Sequence, residues 1–181
     1  MAVIPSWVAP AHRDVADCHR IVVRLADVTG SHEALGQVAA LGWVVSLRPA
    51  PLTQREERVT RELVGAEHRL ALYAAAEQAE PSESEWQRFG VEPRPMAAGN
   101  AEFAYGAWSV LGWLLGDRLD PPVELPRRAA DGTVPPGERL YVTRPRPDSP
   151  VWQDTQRRRR ERHRDEALTA WRQAREATAS R

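Results

Sequence analysis

Residues 101–115 constrain the fold more than any other stretch. Phe103, Ala107, Val110, Leu111 and Leu114 share one side at helical spacing, while Tyr105, Trp108, Trp113 and Leu115 occupy much of the remainder. A helix apolar nearly all round is either the centre of a bundle or the cover of a partner surface. Asn100 is a good N-cap for it and Gly116 a natural stop. The apolar run is shorter than the roughly 20 residues a membrane span requires. Gly106 and Gly112 lack the four-residue spacing of a membrane dimer, so they are expected to allow close helix packing instead.

Other helices must surround this one. Pro10 can open the first, with Val15, Cys18, Val22 and Leu25 in register and Gly30 as its stop. Ser31 caps the second, whose stripe is Leu35, Val38, Gly42 and Val45, widened by Leu41, Trp43, Val44 and Leu47. The apolar run 43–47 is also compatible with a short strand. Thr53-Gln54-Arg55-Glu56 reads as a capping box, followed by Val59, Leu63, Ala66, Leu70 and Tyr73 at spacings of four, three, four and three. A helix is therefore expected from this box to about Ala79. Ser82-Glu83-Ser84-Glu85 repeats the cap signature ahead of a short helix with Trp86 and Phe89, closed by Gly90.

The grammar changes at Asp117. Eight of the residues 117–150 are proline, which forbids a long helix there; 139–143 could form a short strand or extended strap. Val123, Leu125, Leu140 and Tyr141 suit a strap lying across the helical core. Ser149 and Pro150 then open a last helix, expected to run to about Ala177. No apolar residue occurs in 153–166, so this section can neither enter a core nor form a coiled-coil seam; apolar residues return at Leu168, Trp171 and Ala174. The expected fold is all-α: an irregular bundle of about five helices (1–116), a proline-rich extended strap or linker (117–150) and a long polar, arginine-rich C-terminal helix (151–181).

Composition removes several chemistries. All 25 basic residues are arginine. Without lysine there is no P-loop phosphate contact and no Schiff base. The single cysteine, Cys18, excludes an intramolecular disulfide and multi-cysteine metal sites, and its place in an apolar stripe reads as a small buried hydrophobe. The first residues lack a positive n-region and meet Pro5 and Pro10 at once, so no signal peptide is expected and the chain reads as cytoplasmic. No cofactor is implied.

The formal charge of zero conceals a polarity. Residues 1–150 carry 16 arginines against 20 acids, and residues 151–181 carry 9 against 5. An acidic body is joined to a basic arm, which could be satisfied within one molecule, between copies in a homo-oligomer, or by a polyanion. On the last helix Arg157, Arg160 and Arg164 share a ridge, and Arg158 and Arg162 form another. Crowded guanidinium groups suit phosphates, whose oxygens the planar fork takes in pairs, and such contacts position a protein without reading sequence. No aromatic residue lies among them, which argues against a single-strand stacking platform.

The leading expectation is thus a non-enzymatic binding module whose arginine helix contacts nucleic acid, a nucleic-acid-containing assembly or an acidic protein surface. The alternative is a structural or adaptor subunit of a multi-protein complex, virion-like for example, docking through Trp86, Trp152, Trp171 and the last helix. A third is a small metal-dependent enzyme built on His12, His19 and His68. The His-Glu-x-x-His spacing that places two ligands on one helix face is absent, so no metal site is assigned.

Overall fold

The computed structural model describes residues 4–46, 48–97, 100–129, 133 and 150–179. The fold is all-α, with six helices and no strand among the described residues: α1 His12–Thr29, α2 His32–Ser46, α3 Arg61–Ala75, α4 Glu83–Phe89, α5 Ala101–Leu115 and α6 Pro150–Ala179. Residues 43–46 belong to α2, so the strand alternative for 43–47 does not hold there. The alternative at 139–143 lies outside the described residues, as do Leu140 and Tyr141 of the expected strap. Its described portion packs Val123 and Leu125 against the core. No helix among the described residues is long and apolar enough to cross a membrane.

The apolar helix is central. Residues 104–115 are all buried, and α5 packs chiefly on α2 and α3, with α1 outside α2 and α4 against α3. Two glycines permit the tightest of these contacts. A Cβ on Gly36 would overlap the carbonyl oxygen of Phe103, and a Cβ on Gly106 would overlap that of Glu33, so the α2 and α5 backbones touch reciprocally. Gly112 has a different role, since a Cβ there would stand 2.9 Å from His68 Nε2. Asn100 caps α5 by accepting from the Phe103 amide at 2.9 Å, and Ser31 caps α2 through the Ala34 amide at 3.1 Å. At α4, Glu85 reaches back to the Ser82 amide at 2.8 Å, as a capping box requires.

The box expected at Thr53 forms no helix start. Helix α3 begins at Arg61, where Thr60 accepts from the Leu63 amide at 3.3 Å. The reason is long-range: buried Glu67 accepts from the amides of Leu52 and Thr53, at 2.5 and 2.9 Å, and from the Thr53 hydroxyl at 2.9 Å. Thr53 is thereby committed elsewhere, and Gln54 takes a left-handed backbone (φ 54°) that no α-helix accepts. The buried Arg55 turns away to donate to the carbonyl of Glu92. At the other end α3 stops at Ala75, short of Ala79, because Glu77 is also left-handed (φ 54°) and its amide bonds back to Ala74 at 3.1 Å.

Candidate functional site

Helix α6 is 30 residues long, about 45 Å, and it lies against α3 and α5. Its few apolar residues decide how it docks. Ala167 is buried, Leu168, Ala170 and Trp171 pack on the core, and Trp171 meets Tyr73 edge-on at 6.1 Å. One turn towards the N-terminus, the His163 ring stacks on Tyr105 at 3.9 Å. The Tyr105 hydroxyl donates to Glu166 at 2.7 Å, and Arg118 donates to the other oxygen of Glu166 at 2.9 Å. Arg118 also covers the Trp108 ring at 4.7 Å, and His68 stacks on Trp108 at 6.2 Å.

This docking face sorts the arginines. Arg159 pairs with Glu33 at 2.9 Å, Arg160 with Glu102, and Arg164 with Glu77 at 3.1 Å. These three carboxylates come from the first turn of α2, the first turn of α5 and the end of α3. Arg157 and Arg158 instead share Asp154 of their own helix, at 2.6 and 2.8 Å, and their side chains are 71% and 76% exposed. Arg162 is exposed, and its charge acts on Glu33 and His163. Of the five arginines singled out by sequence, the structure therefore leaves 157, 158 and 162 facing outward and turns 160 and 164 towards the body.

An open cleft of about 490 Å³ lies beside these pairs, lined by His32, Glu77, Glu102, Tyr105, Arg160 and Arg164 among others. Burial shifts several titratable groups in and beside it. Burial, assisted by Arg159, pulls His163 down to about 4, so the ring is neutral. Burial and the Glu166 contact push Tyr105 far above its ordinary value. Burial raises Glu33, and Arg159 opposes that shift. Elsewhere, burial pushes the Cys18 thiol up to about 12, which denies it thiolate reactivity.

The remaining expected residues are dispersed. Trp86, expected as an exposed anchor, is only 4% exposed and packs edge-on to Phe89 at 5.6 Å, because α4 turns its apolar face into the bundle. Trp171 is half-buried, with Arg175 over its outer face at 5.0 Å; the Trp152 side chain lies outside the described residues. His12 is exposed at the start of α1, His19 sits near Arg48, and His68 lies against Trp108. Among the described residues no three His, Cys, Asp or Glu side chains are grouped to hold a metal ion. Sequence reasoning missed Arg159, Glu166, Arg118 and Tyr105 as the groups that lock α6 down. Their partners are remote along the chain, and no local pattern marks them. Compared with known protein families, with curated proteins and with solved structures, the chain matches none.

Proposed function

We propose that the chain is a non-enzymatic binding module that contacts nucleic acid, or an assembly containing it, through the outer side of α6. The observation that supports this reading is the side-by-side display of Arg157 and Arg158, both largely exposed and steadied by Asp154, with exposed Arg162 a turn further on. Guanidinium groups held this way meet phosphate oxygens two at a time. Glu161, exposed between Arg160 and Arg162, interrupts this basic footprint, and exposed Asp165 lies beyond it. Binding is sequence-independent and falls with salt.

The test is retardation of a DNA duplex of about 20 base pairs at about 50 and 200 mM salt. Changing Arg157, Arg158, Arg160 and Arg162 together to Gln is expected to lower the low-salt affinity at least tenfold. An unchanged affinity would overturn the reading. A second reading, an adaptor that docks on an acidic protein surface, is favoured by one observation: Arg159, Arg160 and Arg164 already take carboxylates of this chain. Complete failure of the wild-type chain to retard duplex at low salt would leave that reading in its place.

A further inference from the structure

Resting on the nucleic-acid reading, we infer that Glu33, Glu77 and Glu102 form an acidic mask that competes with the anionic polymer for Arg159, Arg160 and Arg164. Two of the carboxylates are carried by α2 and α5 and the third by the turn that follows α3, yet all three reach arginines of α6. Glu33 and Glu102 stand in the first turns of α2 and α5, where a helix terminus favours negative charge. Glu77 occupies a left-handed backbone position that glycine would take without strain, and there its carboxylate meets Arg164.

The mask is electrostatic rather than steric. The side chains of Arg160 and Arg164 remain 65% and 61% exposed while paired, and the cleft beside them is open. A phosphate can therefore approach both guanidinium groups, but it meets carboxylates already seated there. Exposed ion pairs of this kind are weak and are screened by salt. Ala167, Leu168 and Trp171 hold α6 on the core through apolar contacts that do not involve these carboxylates. Removing the carboxylates thus adds cations to the footprint without releasing the helix.

The salt dependence of duplex binding tests this. With Arg157, Arg158 and Arg162 engaged, log K against log salt has a slope of about −2.7; with all six arginines engaged it is about −5.4. The E33Q/E77Q/E102Q variant is expected to show the steeper slope and at least tenfold tighter binding at low salt. E56Q/E83Q/E124Q removes the same charge from exposed positions that form no ion pair with α6 among the described residues, and is expected to stay near the wild-type slope. If the first variant fails to fold, E77Q/E102Q, at two less buried sites, is expected to give about −4.5. A slope no steeper than that of the E56Q/E83Q/E124Q control overturns the mask. R157Q/R158Q/R162Q abolishing binding while E33Q/E77Q/E102Q behaves as wild type would remove the mask and leave the proposed function. No retardation by any variant at low salt would remove both.

Discussion

The imidazole of His163 lies on the phenol ring of Tyr105, centroids 3.9 Å apart and planes 4° from parallel, with Glu33 Oε2 3.8 Å from its Nδ1. Arg159, Arg162 and Glu166 complete its charged surroundings. This contact joins α6 to the central helix, so its protonation state bears on docking. Burial holds the folded-state value at about 4, below the ordinary 6.5. The unfolded chain therefore binds the proton more readily. The neutral ring's contribution is complete above about pH 6.5 and is lost as pH falls towards 4, by about 2 kcal/mol. In H163F the stack persists and the titration disappears. Urea unfolding is expected to show a smaller stability loss for H163F than for wild type between pH 7 and 4.5. Equal losses would mean that this ring does not carry the effect.

Glycine-to-alanine substitution is expected to act with opposite signs at the reciprocal glycines and at Gly65. G106A drives a methyl group into the Glu33 carbonyl and G36A drives one into the Phe103 carbonyl. Neither obstacle is a flexible side chain, so α2 and α5 must separate, at a cost of about 3 kcal/mol. Gly65, inside α3, has nothing within 4 Å of a Cβ. G65A is expected to stabilise by about 1 kcal/mol through helix propensity alone. Thermal melts of the three variants should move in those directions, and a stabilised G106A would contradict the close contact.

The elements legible in the sequence obey local rules. Helix α5 is marked by Asn100 in front, Gly116 behind and apolar residues on every side, and the structure puts it at the centre for that reason. The box at Ser82 works because Glu85 gives one carboxylate oxygen to the Ser82 amide while the Tyr73 hydroxyl donates to the other. The similar pattern at Thr53 does not, because Glu67, fourteen residues on, takes the Thr53 hydroxyl first. The same distinction runs through the candidate site. That 157–164 is helical and basic follows from spacing alone. Which arginines face the body depends on Glu33 and Glu102, which read in sequence as ordinary acids in first helical turns. Trp86 misled because amphipathic spacing does not say which face a short helix turns inward.

Glu67 is only 2% exposed, and its carboxylate is the acceptor for two amides and one hydroxyl of the preceding loop. Burial raises its pKa, while the Thr53 and Leu52 contacts work in the opposite direction. E67A leaves those donors buried without an acceptor and is expected to cost about 3 kcal/mol. E67Q keeps one carbonyl oxygen but turns an NH₂ group towards donors, so a loss of about 2 kcal/mol is expected. Urea midpoints for the two variants should fall in that order. An unaffected E67A would show that the 50–55 turn is not held by this carboxylate.

Tyr105 and Glu166 are 61 residues apart in sequence and bond at 2.7 Å, with Arg118 on the second carboxylate oxygen. If α6 docks through this triad, truncations at its two ends are not independent. Y105F removes the hydroxyl but keeps the ring beneath His163, at an expected cost of about 1.5 kcal/mol, since a hydrogen bond to a charged acceptor exceeds a neutral one. E166Q weakens the same bond and the Arg118 pair together. Residues sharing one network give coupling energies well above the few tenths seen between distant sites. The double variant is therefore expected to lose about 1 kcal/mol less than the sum of the singles, measured by urea unfolding at pH 7. Strict additivity would mean that the hydroxyl and the carboxylate stabilise the fold separately, and that α6 rests on its apolar contacts alone.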